Sequence, residues 1–144
     1  MRINNGGMVL SGTGLYVADV RLITHEAMAL GPHSATVRGE YTIPAGHTAM
    51  IVGVVFHWRR NTAATTVGTV RQYVTITLPG RTEEIVGELC NFTNEITNFT
   101  RLSADYNVPL PTGTRIRYNT HDTSTGGSGD YYGRVVVVLY SVTR

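Results

Sequence analysis

The sequence predicts an all-β protein, a β-sandwich of the jelly-roll type with about eight strands and an N-terminal arm. Three observations support this fold class. Short apolar segments recur along the 144 residues with turn signals between most of them. Thr, Gly, Val and Tyr are abundant, while charged residues make up only 15% of the chain. Almost no segment has the apolar periodicity of a helix. An immunoglobulin-like sandwich is the alternative.

The length favours one domain, which we place at residues 15–144 behind a glycine-containing arm at residues 1–14. A chain of 144 residues buries about 70% of its unfolded surface and so needs no disulfide staples. Cys90 is the single cysteine, which excludes an intrachain disulfide. No apolar run approaches the ~20 residues of a membrane-spanning helix, and the start of the chain lacks a signal-peptide core. We expect synthesis in a host cytoplasm and no membrane partner.

In the first half of the chain we predict strands over residues 15–23, 35–43 and 49–58. Residues 24–30 could form a helical turn, which Gly31 and Pro32 would stop. A Pro-Ala-Gly turn joins the second and third strands. Pro44 fixes φ there and Gly46 can adopt positive φ, so the chain should reverse direction.

In the second half the clearest half-buried strand spans residues 67–78, where apolar and polar residues alternate. Residues 82–102 are ambiguous. The segment 83–89 could be helical, but Gly87 and the many Asn and Thr residues favour short strands and loops. A second turn at residues 109–113 leads into the last elements, which are a strand at 115–120, a tip loop at 122–129 and a strand at 131–142.

Two predicted strands, residues 50–56 and 135–140, are apolar on both faces. A strand of a two-sheet sandwich normally buries one face and exposes the other to water. Large exposed apolar patches are rare on soluble monomers. The outer faces of these strands must therefore be covered by the arm, a loop or another subunit, and we favour a homo-oligomer.

No catalytic, metal or cofactor site is predicted. The five histidines form no pair at i, i+2 or i, i+4, and no Cys-x-x-Cys occurs. Glu83 and Glu84 would point to opposite faces of a strand and cannot act as an acid–base pair. The net charge of +2 is too small to argue for nucleic acid. We therefore predict a protein that is not an enzyme.

The candidate interaction residues are an apolar patch in the arm, the aromatic and basic end of the third strand, and two tyrosines beside the tip loop. They are Met8, Val9, Leu10, Trp58, Arg59, Arg60, Tyr131 and Tyr132. Apolar arm residues could dock on a neighbour. Aromatic and arginine side chains could stack on or pair with sugar, nucleic acid or protein, although a strand end emerging into solvent would have the same composition.

The segment Tyr-Thr-Ile-Pro-Ala-Gly at residues 41–46, its echo Leu-Pro-Thr-Gly-Thr at 110–114 and the apolar run at 131–140 resemble those of small jelly-roll virion proteins of tailed bacteriophages. The resemblance covers residues 35–144. It implies a structural protein of the virion, without cofactor or reaction, that binds other virion subunits. No functional residue carries over from it.

On this basis we predict a capsid decoration or cement protein that binds the major capsid protein or another virion subunit as a homotrimer. The alternative is a receptor- or glycan-binding head of a tail fibre, with loops at residues 59–65 and 121–132 contacting host glycan. A gene for this chain beside that of the major capsid protein would favour the first function. A gene beside tail-fibre genes would favour the second.

Overall fold

The structure is a computed structural model that describes residues 2–4, 7–9, 16–29, 32–63, 66, 68–92, 97–103, 108–126 and 128–141. Every regular element in these ranges is a β-strand. The strands are β1 (Arg2–Asn4), β2 (Gly7–Val9), β3 (Tyr16–Ala29), β4 (His33–Thr42), β5 (His47–Thr62), β6 (Thr69–Thr77), β7 (Glu83–Phe92), β8 (Thr97–Ser103), β9 (Arg115–Asp122) and β10 (Ser128–Ser141).

The strands form two antiparallel sheets whose order defines a jelly roll. One sheet has the order β1-β2-β3-β10-β5-β8 and the other the order β4-β9-β6-β7. From β3 onward each sheet holds four strands, and successive strands lie in alternate sheets except at the β6–β7 connection. Eight strands wound in this way are the jelly-roll arrangement. The predicted fold is confirmed, and the order distinguishes it from the immunoglobulin-like alternative.

The two predicted turns lie side by side and hold each other in place. Gly46 and Gly113 have φ values of 76° and 80°, which a side chain would strain. The amide of Gly113 donates to the carbonyl of Ile43 at 2.9 Å, and Ala49 and Leu110 exchange two backbone hydrogen bonds at 2.7 and 2.9 Å. The echo of one turn in the other therefore corresponds to a physical pairing of the two.

Two helical alternatives are wrong, because both segments are strands. Residues 24–29 continue β3 and pair with β10, for example Thr24 with Arg134. Residues 83–89 belong to β7, which pairs along its whole length with β6. In both cases the cross-strand partners satisfy the backbone and outweigh the local preference of the sequence.

The core lies between the inner faces of the two sheets, and a chain of hydrogen bonds joins the sheets across it. Its apolar residues come mainly from β5, β10, β6 and β9. Tyr118 on β9 is completely buried, and its hydroxyl donates to Oε1 of Gln72 at 2.7 Å. Gln72 in turn donates to the carbonyl of His57 at 2.8 Å. Gly133 on β10 makes room for the Tyr118 ring, which a Cβ at that position would clash with. This chain of contacts sets the position of β5 against the other sheet.

Within the predicted arm, the structure has a short β-hairpin. Strands β1 and β2 pair with each other, and β2 extends the six-stranded sheet by pairing Met8 with Val17 and Val9 with Tyr16. Leu10 lies outside the described residues. The division into an arm at 1–14 and a domain at 15–144 stays a prediction.

We expect Val137→Asp to prevent folding. Val137 is 0% exposed on the inner face of β10, and burying an unpaired carboxylate costs several kcal/mol against a total stability of roughly 5–15 kcal/mol. The matched control is Val138→Asp, because Val138 is the next residue and lies on the outer face opposite Met50. Circular dichroism and urea titration of both variants test this. A folded Val137→Asp variant of near-normal stability would contradict the assigned register.

Candidate interaction surface

An apolar patch occupies the outer face of the six-stranded sheet. It is formed by residues of three adjacent strands that point away from the core, namely Val20, Leu22, Met50, Val52, Val136 and Val138. In the register of the sheet Leu22 lies opposite Val136 and Val20 opposite Val138. Exposure is 51% for Val20, 56% for Leu22 and 39% for Val52. The patch is therefore contiguous across strands and open to solvent.

A β-bulge in β5 adds to this surface. Val136 pairs with Gly53 and Val137 with Ile51, so Val52 is an extra residue between two paired positions. Such an insertion bends the strand locally and turns a side chain outward. The sequence from 50 to 56 is apolar on both faces because its inner residues build the core while Met50 and Val52 face outward.

The same face becomes aromatic and charged toward the tip loop. The His57 and Tyr132 rings stack with a centroid distance of 4.7 Å and an interplanar angle of 28°. Arg59 and Asp130 form an ion pair of 3.4 Å in which the Arg59 side chain is half exposed. Tyr132 is 42% exposed. An exposed ion pair of this kind adds at most about 1 kcal/mol to stability, so Arg59 and Asp130 can exchange it for contacts with a partner.

The predicted interaction residues divide between the two faces of this sheet. Arg59 and Tyr132 lie together on the outer face, whereas Trp58 and Arg60 are buried on the inner face at 0% and 1% exposure. Tyr131 pairs through its backbone with Trp58 on β5. Met8 and Val9 belong to β2, which lies between the edge strand β1 and β3. The interaction role of all these residues stays a prediction, and for Trp58 and Arg60 it would have to act through their exposed neighbours.

Arg60 is part of a buried polar network that holds the tip loop. Its Nη2 donates to the Ser124 hydroxyl at 2.8 Å and its Nη1 to the carbonyl of Gly126 at 3.4 Å. The Ser124 hydroxyl and amide both donate to Oδ1 of Asp122, at 2.6 and 2.8 Å. A single serine hydroxyl thus separates the buried cation of β5 from a buried carboxylate of β9. Sequence reasoning missed Ser124 and Asp122, although Asp-Thr-Ser after a strand is typical of a side-chain-capped turn.

The outer face of the four-stranded sheet has the opposite character. Arg117 contacts Glu40 at 2.5 Å and Glu83 at 3.4 Å, and its pKa is raised chiefly by the hydrogen bond to Glu40. Arg71 pairs with Glu88 and lies 4.6 Å above the centre of the Tyr73 ring. Burial raises the pKa of the Tyr73 phenol. This face carries its own ion pairs and is suited to water, so the two outer surfaces of the sandwich differ.

No group of three or more His, Cys, Asp or Glu side chains among the described residues is arranged to hold a metal ion. No helix in the described ranges is long and apolar enough to cross a membrane.

Comparison with known proteins gives distant structural likenesses only. No family model and no curated protein matches the chain. The structure is similar to that of the Gx strain of infectious bursal disease virus, with a TM-score of 0.45 and 12% identity over 90% of this chain and 38% of that chain. It is also similar to the decameric BFDV capsid protein, with a TM-score of 0.41 and 10% identity over 88% of this chain and 98% of that chain. A third similar structure is Eiger TNF from S. frugiperda, with a TM-score of 0.42 and 12% identity over 94% of this chain and 86% of that chain. This chain spans 38% of the first of these proteins, and the jelly-roll assignment rests on its own strand order.

We expect Ser124→Ala to lower the free energy of unfolding by about 1–3 kcal/mol, because Arg60 loses an acceptor and Asp122 a donor in the interior. Urea titration measures this loss. Ser34→Ala is the control, since Ser34 is exposed at the start of β4 and such surface changes stay within about 0.5 kcal/mol. If both variants were equally stable, the network would not hold the tip loop.

Proposed function

We propose that this chain is a structural subunit of a virus particle, a jelly-roll decoration or cement protein that associates with itself as a trimer and binds a capsid. The observation that carries the proposal is the apolar patch on the outer face of the six-stranded sheet. The resemblance to small virion proteins of tailed bacteriophages supports it independently, on residues 41–46, 110–114 and 131–140.

An apolar sheet face on one side of a sandwich favours a lasting contact with protein. Interfaces of permanent complexes are more hydrophobic than those of transient ones, and their centres resemble a protein core. The patch meets this description at its centre. The Tyr132 ring and the Arg59 guanidinium lie farther along the same face, beyond the pair of Arg134 and Val55, and these are residue types that dominate binding energy in many interfaces. The ion-paired face of the other sheet would remain toward solvent.

The buried polar groups favour a structural role over an enzymatic one. Gln72 and Tyr118 join the two sheets, and Arg60 holds the tip loop through Ser124. The hydrogen bonds that these groups make join one part of the fold to another. The described residues therefore supply rigidity, which a protein that reinforces a particle needs.

A receptor- or glycan-binding head is the second candidate. The stacked rings of His57 and Tyr132 lie beside the tip loop with Arg59 next to them. Aromatic faces and arginine forks are suited to sugar rings and their polar groups. In this function the aromatic end of the face would bind the glycan, and the apolar patch would still join copies of the chain.

Binding to capsids tests the two functions against each other. We expect the full-length protein to co-sediment with undecorated capsids of its virus and to saturate them. Removal of residues 1–14 should weaken retention without abolishing it, because the ordering of a short arm, at about 1–2 kcal/mol per residue, offsets much of what docking contributes.

Equal retention of the full-length and truncated proteins would exclude the arm as an anchor. Failure of the full-length protein to bind capsids would contradict the decoration function. Binding to a host glycan that Tyr132→Ala removes would then support the head module.

A further inference from the structure

A second feature of the fold is an open pocket at the turn end of the four-stranded sheet. It has a volume of about 350 Å³ and lies between the ends of β4, β9 and β6 and the turn that follows β6. Its polar walls come from Thr42, Thr77, Arg81 and Arg115. The turn at Gly80 has a φ of 69°, and a Cβ at Gly113 would lie 3.4 Å from the Pro79 ring. The two turns are therefore neighbours in the wall of the pocket.

Arg115 differs from the other arginines on this face of the sheet. Arg117, two residues along the same strand, contacts two carboxylates, and Arg71 contacts one. Arg115 lies in register with Thr42 on one side and Thr77 on the other, neither of which is charged. Within the part of the chain that the structure describes, no carboxylate lies within 4.0 Å of Arg115 or of Arg81.

One acidic residue close to the pocket in the strand register already has partners of its own. Glu83 lies opposite Thr77 in the register of β6 and β7. Its Oε1 accepts a hydrogen bond from the Thr75 hydroxyl at 2.9 Å and another from Arg117 at 3.4 Å. Glu83 is thus drawn away from the pocket, which leaves two guanidinium groups around it without a counter-charge from the described residues.

Two residues that line the pocket also have buried polar atoms without partners. Nε of Arg115 and the hydroxyl of Thr77 are buried and make no hydrogen bond within the described structure. Buried polar groups of this kind carry a desolvation cost until an acceptor or donor reaches them. A guanidinium can also present its two terminal nitrogens as a pair of donors that matches the two oxygens of a carboxylate or phosphate.

We propose that this pocket binds an oxyanion, a carboxylate or a phosphate group, between the guanidinium groups of Arg115 and Arg81. Arg115 binds one edge of the anion through its two terminal nitrogens, and Arg81 adds a second positive charge from the turn. The site is independent of the apolar patch, which lies on the other sheet, and it does not require capsid binding.

Titration of the intact protein with inorganic phosphate and with succinate tests this site and separates the two anion types. We expect saturable binding of at least one of them by calorimetry, with a shift of the Arg115 Nε–H resonance in NMR spectra. Arg115→Gln should weaken binding at least tenfold and Arg81→Gln several-fold. The matched control is Arg134→Gln, which removes an exposed arginine from the other sheet and should leave the affinity unchanged.

Three results would overturn the proposal. The first is that neither anion binds in a saturable way. The second is that the Arg134→Gln variant loses as much affinity as Arg115→Gln, and the third is that the Arg115 resonance does not shift on titration. Circular dichroism of each variant shows whether it is folded. If Arg115→Gln does not fold, the Arg81→Gln variant and the NMR titration of the unaltered chain decide the question.

Discussion

The position of β10 between β3 and β5 is the constraint on which the rest of the structure depends. Both edges of β10 are paired along most of its length. Its inner residues, among them Val135 and Val137, therefore build the middle of the core. Its outer residues, Val136 and Val138, are placed by the same pairing at the middle of the outer face. An apolar strand in this position produces a core and an apolar surface together.

The two outer faces of the sandwich show how this constraint leads to function. The four-stranded sheet covers its outer face with ion pairs around Arg71 and Arg117, and its exposed apolar residues, such as Ile85, are scattered. The six-stranded sheet instead gathers Leu22 and its neighbours into one patch. Scattered exposed apolar residues are normal on any protein, whereas a contiguous patch indicates a partner. The proposed assembly role follows from this difference.

Several parts of this arrangement could be predicted from the sequence. The features that could not be predicted depend on contacts between distant parts of the chain. The turn at Gly46 and the two-sided strands were predictable, because they depend on local conformation and period-two alternation. The strand at 24–29 was missed because its stability comes from β10, more than 100 positions away along the chain. Trp58 and Arg60 continue the alternation of the buried Phe56, but the burial of an arginine becomes visible only when Ser124 is brought beside it by the fold.

The central claim is that the apolar patch joins copies of this chain, and sedimentation equilibrium of three proteins tests it most directly. The unaltered chain should be a trimer at micromolar concentration. Leu22→Asp, at a position 56% exposed within the patch, should be a folded monomer, because burying its carboxylate in an interface costs several kcal/mol. Ile85→Asp changes a residue that is 48% exposed on the other sheet and should leave the trimer intact. A monomeric unaltered chain, or a Leu22→Asp variant that assembles as well as Ile85→Asp, would contradict the account.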